Sequence, residues 1–316
     1  LITHIISEAV KTLNNHGIVA IPTETVYGLA GNIYSEKAIN SIFEAKKRPF
    51  FNPLIVHISS IDKLDEIAIN IPDIAYTLAN TFWPGPLTLV LDKHKNIPFL
   101  VTGGKNTVAV RVPNHTTTLA LLNQLNFPLA APSANIFGQL SPTCAAHIMD
   151  SFKPNTPLIL DGGVCENGIE STIVGFENGQ PVIYRFGAIS LEDIENVIGK
   201  INKIIQKNRK LIAPGMLKKH YAPLTKLLVT NNICNKINEF KGLKVGLLLF
   251  DNKKVYDIPY QEILTTKGNL AEAASNLYAC LHRLDSLGLD IIIAEKLPNK
   301  GLGVTINDRL TRGTKK

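Results

Sequence analysis

Three features of this 316-residue sequence predict a two-domain α/β protein. Short branched-aliphatic runs alternate with stretches of helical periodicity through the first two hundred residues, so both strand and helix are needed to account for them. An irregular segment, Ala213 to Pro223, carries a Pro-Gly pair and a second Pro nine residues after the first, and the pattern resets beyond it. A composition of 45% hydrophobic and 19% charged residues supports one large core or two smaller ones and excludes a disordered or collagenous chain. The expected division is a first domain over 1–205, a connection over 206–225 and a second domain over 226–316.

In chain order, strands are expected at Ile18 to Ile21, Leu54 to Ile58, Leu87 to Leu91, Val108 to Val112, Leu158 to Leu160, Thr172 to Phe176 and Val182 to Tyr184, with Gly, Pro and Asn gathered at their ends. A helix starts after Ser35 and runs to about Lys46. Pro49 removes a backbone donor and turns Arg48 away from helical geometry, which places Arg48 on a loop. Ser190 and Asp193 fit a capping box that opens another helix. Past the connection, strands are expected at Leu227 to Thr230, Val245 to Phe250 and Asp290 to Ala294. Between the last two, Leu270, Ala273, Ala274, Leu277, Leu281, Leu284 and Leu287 repeat at helical spacing and give one buried face.

The 33 basic and 26 acidic residues leave a net charge of +7 without a dense basic block, which permits polyanion binding without identifying the anion. Cysteines at 144, 165, 234 and 280 fit no zinc ribbon, redox pair or disulfide scaffold and read as reduced thiols. No run approaches about 18 apolar residues and no basic patch precedes a long apolar core at the N-terminus, so a soluble, cytoplasmic protein without a membrane partner is expected. Leu1, where Met would open a chain, reads as an incompletely represented terminus.

Several segments carry chemistry. Pro22 to Leu29 (PTETVYGL) puts hydroxyls, a carboxylate and a glycine at a strand end, where a polar ligand can bind; a Pro/Gly turn with an incidental acid explains it as well. Lys46 and Arg48 on a Pro-bounded loop can grip phosphate or carboxylate oxygens, or they are a solvated helix end; His57 by itself reads first as structural. Arg111 before Pro113, the run Ala131 to Asn135 and the run Gly168 to Thr172 add small polar residues whose backbone donors can hold a nucleotide without a nucleophile. The phosphate loop, dinucleotide fingerprint, HExxH and GxSxG motifs are all absent, so any ATP site is of another kind.

Together, and in this order, PTETVYGL, the KxR of AKKRP, NPLIVH, WPGPLT, VRVP, APSAN and GIESTIV resemble the YrdC/Sua5 family of threonylcarbamoyl-adenylate synthases. The linker APGMLKKHYAP and the domain beyond it resemble the longer, two-domain Sua5 type. The resemblance implies a YrdC-like twisted mixed sheet forming a concave basic cavity, then a smaller Rossmann-like α/β domain. It also implies synthesis of threonylcarbamoyl-AMP and pyrophosphate from L-threonine, bicarbonate and ATP, with Mg²⁺ as cofactor. Downstream transfer proteins then deliver the activated group to adenosine 37 of tRNA. By the same resemblance Lys46 and Arg48 match the catalytic basic pair near the triphosphate or the threonine carboxylate. Thr23, Thr25, Tyr27, His57 and Ser171 match the threonine pocket, and Arg111, Ser133, Asn135, Ser141 and Arg185 match nucleotide positions, to which Ser171 is matched as well. His220 and Tyr221 lie in the linker that crosses the active-site mouth in two-domain relatives. No cluster of protein metal ligands is visible; ATP phosphates and water would hold the Mg²⁺. Asn307 and Arg309, in a closing motif of the second domain, suit interdomain packing as well as a site. The rival readings are a double-stranded RNA-binding module, a carbamoyl transferase of the hydrogenase-maturation type and a noncatalytic nucleotide-binding module.

Overall fold

Alternating strands and helices assemble into two sheets, one mixed and one parallel. The computed structural model describes residues 1–203, 220–253 and 256–314. Most of the expected connection, 206–225, lies outside the described residues; its described end is 220–225.

The first unit runs β1 (Ile2–Thr3), α1 (Ile6–Asn14), β2 (Val19–Ile21), β3 (Gly28–Asn32), α2 (Glu36–Lys46), β4 (Ile55–His57), β5 (Ala68–Ile69), α3 (Asp73–Phe82), β6 (Leu87–Lys93), α4 (Phe99–Thr102), β7 (Thr107–Arg111), α5 (Thr116–Asn123), β8 (Leu129–Ala130), α6 (Ala145–Phe152), β9 (Leu158–Leu160), β10 (Thr172–Glu177), β11 (Gln180–Arg185), α7 (Leu191–Ile198) and β12 (Asn202–Lys203). Its strands lie in the order β1-β9-β2-β3-β8-β4-β7-β6-β10-β11-β12, with β5 paired to β6 off this path. Parallel and antiparallel pairings are mixed across it, as in β4 with β7 and β7 with β6.

Side-chain alternation divides this sheet into a core face and a site face. Val56 of β4, Val108 and Val110 of β7 and Val174 of β10 join the main core with Ile39, Ile42 and Phe43 of α2 and Ala75 and Leu78 of α3. The alternate residues Ile55, Ala109 and Ile173 form a small separate cluster with Val90 on the other face. Register pairs Ile55 with Ala109 and His57 with Arg111, so His57 and Arg111 stand side by side on the site face.

Helix α2 explains where its last residues go. Ser35 caps it by accepting from the Ala38 amide, and its buried stripe is Ala38, Ile39, Ile42, Phe43 and Lys46. Lys46 therefore occupies a core-facing helical position, one turn beyond Ile42 and Phe43. Lys47 ends the helix with φ 52, in the left-handed region, and Pro49 carries the chain away. The expected capping box of Ser190 and Asp193 opens α7.

The second unit runs β13 (Lys226–Thr230), α8 (Ile233–Glu239), β14 (Val245–Leu249), β15 (Tyr260–Ile263), α9 (Leu270–Asp285), β16 (Ile291–Glu295) and α10 (Leu302–Gly313). Its four strands are all parallel, in the order β13-β16-β14-β15. Helix α9 stops at Asp285, short of the expected Leu287, because Gly288 takes φ 59 and turns the chain toward β16. The core of this unit crosses into the first: Leu277, Tyr278 and Leu281 of α9 cluster with Val26, Leu140 and Ile169. Among the described residues no helix is long and apolar enough to cross a membrane.

Candidate active site

The turn between β2 and β3 is closed by its own hydroxyls. Thr23 Oγ1 donates to the Val26 carbonyl at 2.7 Å and accepts from the amides of Thr25 and Val26, both at 3.2 Å. Thr25 Oγ1 lies 2.8 Å from Thr23 Oγ1 and accepts from Arg111 Nη1 at 3.0 Å. Glu24 beside it forms a buried ion pair with Arg111 Nη2. The Tyr27 hydroxyl sits 2.8 Å from both Asp161 Oδ1 and the Gly163 carbonyl, and burial raises its pKa. At the end of β4, His57 Nδ1 donates to the Ile55 carbonyl at 3.1 Å, which leaves Nε2 as the acceptor. Burial, and then the charge of Arg111, push the His57 pKa down to about 3, so this imidazole is neutral.

Lys46 is 1% exposed. Its ammonium donates to the carbonyls of Ser133 at 2.5 Å and Asn135 at 2.6 Å, which fixes the APSAN loop over the end of α2. Arg48 donates through Nε to Asn52 O at 3.2 Å and through Nη2 to Pro53 O at 2.7 Å. Among the described residues neither cation pairs with a carboxylate. Burial, then the neighbouring Arg48, hold the Lys46 pKa well below its ordinary value; burial and the charge of Arg185 pull that of Arg48 down to about 9. Arg185, at the end of β11, donates through Nε and Nη2 to Ser171 O at 3.1 and 2.8 Å and through Nη2 to Ser171 Oγ at 3.0 Å.

These groups surround a pocket lined by Thr23, Thr25, Tyr27, Arg48, His57, Arg111, Ser133, Ser171, Arg185, His220 and Tyr221, with Glu170 as its acidic wall. The linker's end closes it. Tyr221 holds φ 63, costly for a bulky residue, while the following Ala222 amide donates to Gly138 O at 2.9 Å. Unpartnered buried polar atoms collect here: His220 Nδ1, Tyr221 Oη, Arg111 Nε, Glu24 Oε2 and Asn135 Oδ1. Burial depresses the His220 pKa well below the usual imidazole value, and Arg48, Lys46 and Arg185 add to the effect.

Eleven of the fourteen residues singled out from the sequence line this cavity. Lys46 and Asn135 stand behind Ser133, joined to each other. Ser141 does not line the cavity itself: its hydroxyl donates to Oε1 of Glu170, the acidic wall, at 2.6 Å. Sequence reasoning left Glu24 and Glu170 without roles although both lie inside quoted motifs; an acid adjoining a site serine or threonine was the available signal. Asn307 bonds to the backbone of Leu297 within the second unit, whereas Arg309 crosses to the first and pairs with Glu170 at 2.7 Å.

Buried cations in excess of their counter-charges, gathered on one face of a twisted mixed sheet and closed by a second parallel α/β unit, define a two-domain protein that binds small polyanions. The chain matches the Sua5/YciO/YrdC family model, described as telomere recombination, over residues 11–187, and the threonylcarbamoyl-AMP synthase C-terminal domain model over residues 189–314. It belongs to the Sua5/YciO/YrdC family, in its two-domain form. The threonylcarbamoyl-AMP synthase of Pyrococcus abyssi is 42% identical over 94% of this chain and 90% of its own length. That of Bacillus subtilis is 40% identical, covering 97% and 92%. The crystal structure of P. abyssi Sua5 complexed with L-threonine superposes with a TM-score of 0.91 at 39% identity, over 99% of this chain and 96% of that one.

Proposed function

We infer that this chain is a threonylcarbamoyl-AMP synthase: it uses ATP to convert L-threonine and bicarbonate into threonylcarbamoyl-AMP and pyrophosphate. The observation that carries the reading is the buried pair Lys46 and Arg48, neither of which has a carboxylate partner, beside the cavity. A buried cation without a carboxylate partner is costly in solvation, an anion that comes to it relieves that cost, and a triphosphate is an anion of the required density. Both site carboxylates are engaged by guanidinium groups, Glu24 by Arg111 and Glu170 by Arg309. Among the described residues no cluster of His, Cys, Asp or Glu could hold a metal ion. Mg²⁺, which the chemistry of the triphosphate calls for, would be coordinated by ATP phosphate and water.

The residues divide the work. Thr23, Thr25, Tyr27, His57 and Ser171 receive threonine; Arg111, Ser133, Asn135 and Arg185 frame the nucleotide; Lys46 and Arg48 take the phosphates. Neutral His57, whose Nε2 is an acceptor, suits a hydrogen bond from a substrate hydroxyl or amine. The uncharged threonine amine attacks the bicarbonate carbon, a C–N bond forms and water leaves. A carbamate oxygen then attacks the α-phosphorus, and the bond to the departing pyrophosphate breaks. Charge accumulates on the phosphates in that second step, where Lys46, Arg48 and Arg185 can offset it, so positioning and electrostatics supply the catalysis. The cavity hydroxyls of Thr23, Thr25 and Ser171 bond to carbonyls, amides, other hydroxyls or guanidinium groups, not to a general base, consistent with a route without a covalent enzyme intermediate.

The first domain performs this reaction, His220 and Tyr221 at the end of the connection close the cavity, and the second domain braces them. The product passes to transfer proteins that act on tRNA. The test is product analysis: incubate the full chain with ATP, Mg²⁺, threonine and isotopically labelled bicarbonate, and follow labelled threonylcarbamoyl-AMP by mass spectrometry together with pyrophosphate. Absence of labelled product from folded, nucleotide-binding protein would reject the reading.

A further inference from the structure

Arg309 comes from α10 of the second unit, is 1% exposed, and makes contact with the first unit at two places and with the linker's end at a third. Its Nε donates to Glu170 Oε2 at 2.7 Å, its Nη2 donates to Phe186 O at 2.6 Å, and its guanidinium carbon lies 4.6 Å from the centre of the Tyr221 ring. Tyr278 of α9 donates to Glu170 as well, at 2.9 Å to Oε1. With Ser141 also donating to Oε1, both oxygens of Glu170 are occupied, largely by the second unit. Glu170 is nonetheless a wall of the cavity and immediately precedes Ser171, the residue that Arg185 holds.

An uncompensated carboxylate at this position would act against a nucleotide by repelling its phosphates. We propose that Arg309 is a positioning residue for the nucleotide, through which the C-terminal domain cancels the charge of Glu170 on the cavity wall. This rests on the cavity being an ATP site. It gives the second domain a definite part in substrate binding, exerted through Glu170 and not by touching ATP.

The test uses the full chain and two variants, Arg309→Met and Arg309→Met with Glu170→Gln, each titrated with ATP and Mg²⁺ by calorimetry. Methionine keeps an apolar stem under the Tyr221 ring, so the lid retains its platform. Arg309→Met is expected to weaken ATP binding by about tenfold or more, the effect of one like charge near a phosphate at an effective dielectric near 20. The double variant, which leaves no unpaired charge, is expected to bind within about threefold of the original chain, because neutralising both members of a buried pair is far milder than removing one. A double variant as weak as the single one would overturn the proposal, since Arg309 would then act as a cation or lid support in its own right. So would a single variant as tight as the original. If the single variant does not fold, the double variant decides alone, and binding weaker by more than about tenfold rejects the proposal. Failure of the unsubstituted chain to bind ATP would instead reject the reading of the cavity.

Discussion

Acid unfastens the two domains at Glu170, and the structure sets the size of the effect. Burial alone would raise this carboxyl, but the charges of Arg309 and Arg185 and the hydrogen bonds from Ser141 and Arg309 outweigh it and hold the pKa at about 2, against an ordinary 4.5. A carboxyl held lower in the folded than in the unfolded protein contributes its full stability above roughly pH 5. That contribution drains as pH falls from about 4.5 toward 2, where both states become protonated. The displacement corresponds to about 3 kcal/mol, of which about 2 kcal/mol is gone by pH 3. The assay is urea unfolding of the original chain and of Glu170→Gln at pH 7, 5, 4 and 3. Other carboxylates titrate alike in both proteins and cancel in the difference. The stability advantage of the original chain is therefore expected to shrink by about 2 kcal/mol between pH 7 and pH 3. A difference that stays constant over this range would refute the account of Glu170 as an ionised, interdomain-paired carboxylate.

Three further substitutions probe the site. Lys46→Met replaces a buried cation by an apolar chain of similar length; calorimetry should show ATP affinity falling by about a hundredfold, while urea unfolding should show a loss of about 1–3 kcal/mol at most, because the Ser133 and Asn135 carbonyls lose the donor they share. Gly187→Ala sets a Cβ 2.2 Å from Ser171 C and Thr172 N. Backbone cannot rotate away, so thermal unfolding should register a cost of about 1–3 kcal/mol, and kcat/KM should fall as Ser171 shifts against Arg185. Tyr27→Phe leaves the Gly162 amide, which donates to Tyr27 Oη at 3.1 Å, and the Asp161 carboxylate short of a partner. Chemical denaturation should reveal a loss of about 1–3 kcal/mol.

What was legible in the sequence had a local cause. Ser35 with Ala38, Ser190 with Asp193, and the Pro49 boundary are contacts between near neighbours, and each element they delimit stands where the pattern put it. Strand β3 was hidden because GLAGN has no β-branched residue. Its glycines serve close packing instead: a Cβ at Gly31 would stand 3.1 Å from Ile42 Cδ1 and 3.2 Å from Ala38 Cβ of α2. The neighbourhood of the cavity was legible because its residues come from recognisable loops. The partnership of Glu170 with Arg309 was not, since 139 residues separate them and no local pattern connects an acid before β10 with a base in α10. Lys46 lies between these cases: the helical period that buries Ile39, Ile42 and Phe43 also buries position 46, so a lysine on that stripe was itself the unusual feature.

The charges of the cavity are distributed so that binding and folding pull in opposite directions. Each carboxylate has a guanidinium partner, and the Glu170 pair reaches across the domain boundary, so the acids contribute to the folded state without any ligand. Lys46 and Arg48 satisfy their donors on carbonyl oxygens alone, which supply hydrogen bonds but no net negative charge. The folded chain thus bears an electrostatic cost that an anion can relieve, and the affinity of the site for phosphate derives from that unrelieved cost. Pairing Lys46 with a carboxylate would stabilise the fold and weaken the site by the same interaction. The second domain permits the arrangement to persist, because it neutralises Glu170 on the cavity wall, while among the described residues Lys46 and Arg48 have no carboxylate partner.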